Sequence, residues 1–207
     1  MGNTNNTVSI QKYRRVAASY DTSAEFTMPL RRRAIALLQL RPGQCVLDVG
    51  AGTGLSYELL LQGVGSSGRL LAFEQSPDMF AFAQKRAEKA AWKNVWHICE
   101  PAETVQLPQL ADAVLFNYVH DITRTTAAID NILRQVKPGG KVVVAGMKFF
   151  PWWTGPLNLL AWLKNRPYNA NPADLWSPWD LVQARCVDFK VESIHGGMGY
   201  IACGTYR

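Results

Sequence analysis

An acidic residue followed by three alternating glycines is the feature of this 207-residue chain best suited to chemistry. The run spans Asp48–Gly54 and reads DVGAGTG. Glycine has no side chain and tolerates positive φ, so the backbone N–H groups of such a run can approach a ligand closely. A glycine-rich turn between a strand and a helix is where open α/β sheets bind nucleotides. The run therefore predicts a nucleotide-like ligand.

The elements around this run are those that such a site requires. The run ends the apolar segment Cys45–Val49, which predicts a buried strand, and it opens a predicted helix over Thr53–Gln62. Further predicted strands cover Arg69–Glu74, Asn94–Cys99, Ala111–Asn117 and Lys141–Met147. Further helices are predicted after the cap Ser76-Pro77-Asp78 and along the apolar face Ile129, Ile132, Leu133 and Val136. Strands that alternate with helices indicate a parallel sheet covered on both faces.

The two ends of the chain complete the predicted fold. A helix is expected from Thr27 and Pro29, with Leu30, Ala34, Leu37 and Leu38 on its apolar face. The segments Val187–His195 and Tyr200–Tyr206 predict two strands joined by glycines, which is typical of an antiparallel hairpin. With no repeats or low-complexity linkers, residues 1–207 are expected to form one α/β domain with a mostly parallel sheet.

The glycine spacing narrows the class of nucleotide. The dinucleotide fingerprint G-x-G-x-x-G/A would place Gly or Ala at position 55, where this chain has the bulky Leu55. A phosphate-binding P-loop is excluded as well, because no Gly-Lys-Ser/Thr follows the run. What remains is the pattern acid-x-Gly-x-Gly-x-Gly.

This pattern resembles the first motif of the class I S-adenosylmethionine-dependent methyltransferases. The resemblance extends from about Tyr13 to the C-terminus and is most specific over residues 46–140, which end in the turn Lys137-Pro138-Gly139-Gly140. It implies a Rossmann-like doubly wound fold, S-adenosylmethionine as cofactor and S-adenosylhomocysteine as product. It also implies cofactor contacts from Asp48, Gly50, Ala51, Gly52, Thr53, Gly54 and Leu55.

The same resemblance assigns further contacts along the cofactor. Glu74 would accept the ribose hydroxyl groups, Gln75 and Met79 would flank the adenine, and Ala102 and Glu103 would meet the adenine edge. Asn117 and Tyr118 would border the methionine half. The pair Tyr20-Asp21 resembles one found in the subgroup related to quinone-biosynthesis C-methyltransferases, where Tyr20 would close the site over the methionine carboxylate.

His120 and Asp121 follow the predicted fourth strand and are the candidate catalytic pair. A neutral histidine with an ordinary pKa of about 6.5 could take a proton from the acceptor. Asp121 could orient the imidazole, or it could merely cap a helix that begins near Ile122.

Residues 148–180 are rich in aromatic side chains and replace the usual short connection after the fifth strand. We expect a lid that shapes an apolar acceptor pocket, with Phe149, Trp152, Trp153 and Trp162 as acceptor contacts. Core packing of an extra helix is the alternative.

The charge distribution and the cysteine positions limit which binding partners and which cellular compartment we expect. Residues 1–41 form a basic helical arm with seven basic and two acidic side chains, nearly the whole net charge of +6. The arm could meet an anionic substrate, a membrane surface or nucleic acid, or could be a solvated helix face. No RNA-binding module is recognisable, Asn117 is not followed by Pro-Pro-Tyr or Pro-Pro-Trp, and no metal-ligand spacing occurs, so neither nucleic acid nor metal is expected. Scattered cysteines and a polar N-terminus favour a cytoplasmic protein.

These observations favour methyl transfer to a small hydrophobic or aromatic acceptor. A lipid amine (phospholipid-type) N-methyltransferase at the membrane surface is the alternative within the class, since basic residues and interfacial tryptophans would suit it. A nicotinamide-dinucleotide oxidoreductase and a non-catalytic cofactor-binding protein are the alternatives outside it.

Overall fold

A computed structural model describes residues 27–149, 154, 155, 158 and 175–207 of the chain. Seven strands form one sheet: β1 (Cys45–Val49), β2 (Arg69–Phe73), β3 (Val95–Ile98), β4 (Ala111–Asn117), β5 (Val136–Met147), β6 (Cys186–Ile194) and β7 (Gly199–Tyr206). The helices are α1 (Met28–Leu37), α2 (Tyr57–Val64), α3 (Pro77–Lys89), α4 (His120–Thr123), α5 (Thr126–Leu133) and α6 (Asp180–Gln183).

The strand order is β3-β2-β1-β4-β5-β7-β6. Strands β1 to β5 are parallel, β7 runs antiparallel to β5, and β6 pairs antiparallel with β7. The predicted fold class, with its C-terminal antiparallel hairpin, is therefore confirmed. Because β1 lies between β2 and β4, the connections leave it on opposite sides, and a crevice opens at the carboxyl ends of these strands.

Two apolar clusters cover the two faces of the sheet, as the alternation of side chains along a strand requires. In β1, Leu47 and Val49 pack on one face with Ile129 and Ile132 of α5. Val46 packs on the other face, in the cluster that α1 and α2 complete. Helices on both faces hold the carboxyl ends of β1, β2 and β4 in fixed positions.

Leu30, Ala34 and Leu38 are buried at α1 as predicted, but the fourth predicted core residue is not. Leu37 was expected to face the core but is 36% exposed, whereas Arg31 is only 5% exposed. The buried face follows the spacing 31, 34, 35 and 38, which is one continuous helical stripe. The correction turns an arginine of the predicted basic arm into a residue of the protein interior.

Two predicted element boundaries also shift. Helix α2 begins at Tyr57 rather than Thr53, because Gly50, Gly52 and Gly54 all have positive φ and keep the segment before it out of the helix. Val136 belongs to β5 and not to the preceding helix, since it pairs with Ala111. The Lys137–Gly140 turn then lies within β5, where the register with β4 shifts.

Several sequence predictions lie outside the described residues. These are the contacts predicted for Tyr20, Trp152, Trp153 and Trp162, together with most of the basic arm and most of the aromatic segment. In the part of the chain that the structure describes, no helix has both the length and the apolar character needed to cross a bilayer.

Candidate functional site: a cleft at the carboxyl ends of β1, β2 and β4

A cleft of about 750 Å³, counted with its open mouth, lies at the carboxyl ends of the parallel strands. Most of the residues predicted from the sequence to touch the cofactor line it together. They are Gly50, Ala51, Gly52, Thr53, Leu55, Glu74, Gln75, Met79, Ala102, Asn117 and Tyr118. The candidate catalytic residues His120 and Asp121 line the same cleft.

The glycine-rich turn leaves room on its cleft side. Gly52 has φ +59°, and a Cβ built there meets no atom within 4 Å, so the space above it is open to a ligand. Gly50 also has φ +59°, but a Cβ there would lie 2.7 Å from Cγ1 of Val119. Gly50 therefore lets the segment after β4 close over the turn, while Gly52 admits the ligand.

Hydrogen bonds from neighbouring elements hold the turn in place. The backbone N–H of Ala51 donates to the carbonyl of Phe73 at 2.9 Å, which ties the turn to the end of β2. The Nε of Arg86, in the last turn of α3, donates to the carbonyl of Thr53 at 2.9 Å. Gly54 does not line the cleft, and a Cβ there would meet the ring of Tyr57 at 2.9 Å. Gly54 thus serves the packing of α2.

Glu74 is 8% exposed and lies directly after β2. Its Oε1 accepts a hydrogen bond from the backbone N–H of Ser76 at 2.8 Å, and its Oε2 accepts one from Gly52 at 2.9 Å. Burial raises the pKa of this carboxyl group, while the backbone donors oppose the rise. A carboxylate has about four lone-pair sites, so Glu74 can still accept a ligand hydroxyl group.

The wall beside Glu74 is apolar. Met79, in the first turn of α3, is 1% exposed, and Ala102 is 3% exposed. Ser76 caps α3 by accepting a hydrogen bond from the backbone N–H of Met79. Glu103 does not line the cleft. An apolar slot next to a hydrogen-bonding acid suits a flat heterocycle attached to a sugar.

Two buried ionisable residues lie near the end of β1: Arg31, which lines the cleft, and Asp48, a predicted cofactor contact that does not line it. Arg31 donates from Nη1 to Oγ of Ser56 at 2.7 Å, which aims the guanidinium toward the glycine-rich turn. Burial raises the pKa of Asp48 to about 7, although the positive charge of Arg31 opposes the rise. Within the described residues, Nε of Arg31 and Oδ2 of Asp48 have no hydrogen-bond partner. Buried polar atoms normally have one, so these two suit a ligand that carries both charges.

Asn117 and Tyr118 end β4 at the same part of the cleft. Asn117 is 6% exposed, and neither atom of its side-chain amide finds a hydrogen-bond partner among the described residues. Tyr118 has φ +60°, a left-handed conformation that non-glycine residues rarely adopt. Its backbone N–H donates to the carbonyl of Ala145 at 2.9 Å, which helps to hold this strained residue. Strain of this kind is characteristic of functional sites.

His120 begins α4 and is 7% exposed. Its Nε2 accepts a hydrogen bond from the backbone N–H of Met147 at 3.2 Å. Burial, and then the positive charge of Arg124, lower the pKa of His120 to about 4. The imidazole is therefore neutral at physiological pH, and one of its two nitrogens is already occupied.

Of two further residues predicted from the sequence, one lines the cleft and the other does not. Asp121 lines the cleft beside His120, and its backbone carbonyl accepts a hydrogen bond from the hydroxyl of Thr125 at 2.8 Å. Helix α4 begins at His120 with Val119 as its N-cap residue, so Asp121 lies within the first turn and is not the cap. Phe149 lies outside the cleft lining and packs edge-to-face on Trp176, with ring centroids 5.3 Å apart.

Four cleft residues were missed at the level of sequence: Arg31, Phe73, Val119 and Ile122. Arg31 could have been found from the stripe 31, 34, 35 and 38, which places it on the buried side of α1. Val119 and Ile122 carry no motif, and only the observed approach of α4 to Gly50 identifies them.

Comparison with known proteins places this geometry in a family. Residues 46–140 match the family model described as a methyltransferase domain. The chain is 31% identical over 138 residues to a protein-L-isoaspartate O-methyltransferase of Aeropyrum pernix, covering 65% of this chain and 48% of that protein. It is 29% identical over 117 residues to a ubiquinone/menaquinone biosynthesis C-methyltransferase of Legionella pneumophila, covering 55% of this chain and 47% of that protein. The matched part thus spans about half the length of these curated relatives.

Solved structures share the fold. The N-methyltransferase NodS of Bradyrhizobium japonicum, in complex with S-adenosylhomocysteine, superimposes with a TM-score of 0.71 at 16% identity, over 96% of this chain and 98% of that one. An O-methyltransferase family protein of Burkholderia thailandensis superimposes with a TM-score of 0.74 at 17% identity, over 93% of this chain and 60% of that one. The relatives act on different atoms, so the likeness does not extend to an acceptor. Residues 46–140 therefore match a methyltransferase domain, and the sheet topology is that of the class I methyltransferases, whose cofactor is S-adenosylmethionine.

Proposed function

We propose that the protein transfers a methyl group from S-adenosylmethionine to a small hydrophobic or aromatic acceptor. The observation that carries the proposal is the distribution of polar groups along the cleft. A buried acid and an apolar slot lie near β2, and a cation, an anion and an amide with open hydrogen-bonding capacity lie near β1 and β4. A nucleoside joined to a zwitterionic amino acid has matching groups in the same order.

The cleft residues fit the cofactor as follows. Glu74 would hold the ribose hydroxyl groups, and Met79 and Ala102 would enclose the adenine. Arg31 would bind the carboxylate, and Asp48 would favour the ammonium group. Such charge-assisted contacts contribute about 1.5–3 kcal/mol each. The amide of Asn117 would accept from or donate to the same amino-acid end.

The cofactor supplies a methyl group on a positively charged sulfur, and an electron pair of the acceptor displaces that sulfur as a neutral thioether. The protein aligns the acceptor with the methyl group and keeps water out. Val119 and Ile122 provide apolar cover over the glycine-rich turn, since Val119 lies against Gly50. The strained Tyr118 fixes the position of this cover relative to the end of β4.

Aromatic side chains on the far side of His120 support an apolar acceptor. The rings of Trp179 and Tyr200 lie 4.7 Å apart, and Tyr200 lies 6.4 Å from the imidazole of His120. Phe149 and Trp176 form a second aromatic pair, and Trp176 is exposed. We propose that residues 148–180 form the acceptor lid of a single domain over residues 1–207. The contacts of Trp152, Trp153 and Trp162 stay predictions from the sequence.

The alternative functions gain no support from the comparisons. No observation favours a phospholipid-type acceptor over another small molecule, and a dinucleotide would need a small residue at position 55, where this chain has Leu55.

We also propose a cytoplasmic location, because Cys45, Cys99, Cys186 and Cys203 all remain free thiols.

The proposal is tested by incubating the full chain with S-adenosylmethionine carrying an isotopically labelled methyl group and a panel of small aromatic and apolar acceptors. Labelled product should form from at least one acceptor, with S-adenosylhomocysteine in equal amount. Release of S-adenosylhomocysteine without label in any acceptor would indicate hydrolysis. Failure of the cofactor to bind would refute the assignment of the cleft.

A further inference from the structure

In the described part of the chain, four buried side chains at or near the cleft have a polar atom with no partner; three of them line the cleft, and Asp48 does not. The four side chains are Arg31, Asp48, Asn117 and His120. The cofactor contacts proposed above use the first three. The remaining atom is Nδ1 of His120, whose side chain is buried but lines the cleft. Leaving a buried donor without a partner costs free energy, so this atom calls for a ligand group of its own.

The hydrogen bond from the backbone of Met147 determines the chemistry of that atom. Because Nε2 of His120 accepts this bond, Nε2 presents a lone pair, and in the neutral imidazole Nδ1 must carry the proton. The imidazole packs closely on Gly146, because Cε1 lies 2.5 Å from the position that a Cβ on Gly146 would occupy. His120 lines the cleft, so its Nδ1–H is a buried hydrogen-bond donor in the cleft wall, and its occupied Nε2 is not available as a proton acceptor.

The sheet topology separates this donor from the nucleoside end of the cleft. Glu74 follows β2 on one side of β1, whereas His120 follows β4 on the other side and packs against β5 and β7 through Gly146 and Tyr200. If Glu74 holds the ribose, His120 faces the side where the acceptor enters. This step rests on the proposed function.

We propose that His120 donates a hydrogen bond from Nδ1 to an oxygen of the acceptor, and that the acceptor binds as an oxygen anion such as a phenolate, enolate or carboxylate. An N–H donor repels an ammonium group and pairs most strongly with an anionic oxygen. The positive charge of Arg124, the C-cap residue of α4, acts on His120 and also favours an anionic acceptor. Among the described residues, Tyr118 and Asp121 line the cleft near His120 in sequence, and the ring centroid of Tyr200 lies 6.4 Å from that of the imidazole.

The consequence for the reaction is that no base is required from the protein. An acceptor that binds as its anion has already given its proton to solvent, and its electron pair is free to form the new bond to the methyl carbon. His120 then positions the acceptor and stabilises the charge on its oxygen. This role replaces the general-base role expected from the sequence, because the occupied Nε2 and the lowered pKa both oppose proton uptake.

The first test uses the full chain with ¹⁵N-labelled histidine, saturated with S-adenosylhomocysteine. Nitrogen NMR should show His120 as the Nδ1–H tautomer, unchanged from pH 5.5 to 9. The Nε2–H tautomer, or protonation within that range, would overturn the proposal. If S-adenosylhomocysteine does not bind at all, the proposed function fails instead, so the two failures are distinguishable.

The second test compares probes of matched size on the same complex by calorimetry: 4-nitrophenolate, benzoate and benzylamine. At least one of the two anions should bind about tenfold more tightly than benzylamine and shift the Nδ1 resonance of His120. Equal binding of all three probes, or a preference for benzylamine, would overturn the proposal.

A matched pair of variants separates donation from packing. His120→Asn keeps an N–H donor close to the position of Nδ1, whereas His120→Gln moves its amide toward the position of Nε2. Anion affinity should fall at least about tenfold in His120→Gln and by clearly less in His120→Asn. Equal losses in two folded variants would indicate a structural role only. If either variant fails to fold, the tautomer of His120 and the preference among the three probes, both measured on the wild type, decide whether the proposal holds.

Discussion

The Oε2 of Glu74 accepts a hydrogen bond from the backbone N–H of Gly52 at 2.9 Å, which joins the end of β2 to the glycine-rich turn after β1. Its Oε1 accepts from Ser76 at 2.8 Å, at the start of α3. One carboxylate therefore fixes both loops at this end of the cleft. Its proposed contact with the ribose would come in addition to these two bonds.

Glu74→Gln should weaken binding of S-adenosylhomocysteine at least tenfold, about 1.4 kcal/mol or more. The amide NH₂ of glutamine would face the N–H of either Gly52 or Ser76, and the charge that strengthens a ribose hydrogen bond would be lost. Calorimetry on the folded variant measures the change. Glu58→Gln, on exposed α2 surface, is the matched control and should bind as wild type. Unchanged affinity in Glu74→Gln would refute the ribose assignment.

Gly52→Ala should abolish or strongly reduce cofactor binding while the protein still folds. The added methyl group meets no protein atom within 4 Å and enters the space assigned to the ligand. Gly139→Ala is a close control, because Gly139 also has positive φ and open space around its Cβ position but lies in the turn of β5, away from the cleft. Both variants should lose about 1 kcal/mol of stability from the left-handed backbone. Equal cofactor affinities in the two variants would contradict the role of Gly52.

Arg31→Met should reduce the affinity for S-adenosylhomocysteine at least tenfold but leave the affinity for 5′-methylthioadenosine nearly unchanged, since that nucleoside lacks the amino-acid end. Arg32→Met, on the exposed side of α1, is the control. A parallel loss of affinity for both ligands would mean that Arg31 supports the cleft only through its packing and its bond to Ser56.

Asp48 should make the free protein less stable as the pH rises from about 4 to about 7. Its pKa is raised from 3.8 to about 7 in the folded state, so the folded protein keeps a proton that the unfolded chain has lost over this range. The stabilising effect of that proton is complete below pH 4 and disappears above the folded pKa. The full shift corresponds to roughly 4 kcal/mol.

Denaturant unfolding of wild type and Asp48→Asn at several pH values measures this effect. The variant should show a smaller fall in stability between pH 4 and 7, and it should gain stability relative to wild type at pH 8. Identical pH profiles for the two proteins would show that Asp48 titrates normally in the folded state.

Sequence patterns predicted the sheet well because its strands are strongly apolar and alternate regularly with helices. The strands at Cys45–Val49 and Ala111–Asn117 were predicted to the residue. The errors lie where tertiary structure overrides a local pattern. Val136 continues an apolar helical spacing, yet pairing with Ala111 assigns it to β5. The helix predicted from Thr53 begins later, because the glycines of the turn serve the cleft.

The candidate site was predicted only in part, for a physical reason. Motif residues such as Gly52 and Glu74 lie at strand ends, which the alternation of elements already defines. Arg31 reaches the cleft through the packing of α1, and its bond to Ser56 joins residues 25 positions apart. The orientation of His120 depends on Met147, 27 positions away. Residue types and spacing along the chain do not encode such long-range contacts.

A pair of calorimetric titrations of the wild-type full chain, with S-adenosylhomocysteine and with NAD, tests most directly which cofactor the cleft binds. We expect one saturable site for S-adenosylhomocysteine, lost in Gly52→Ala and retained in Gly139→Ala, and no comparable binding of NAD. Tighter binding of NAD, or binding of S-adenosylhomocysteine that is indifferent to Gly52→Ala, would contradict the assignment of this cleft to S-adenosylmethionine.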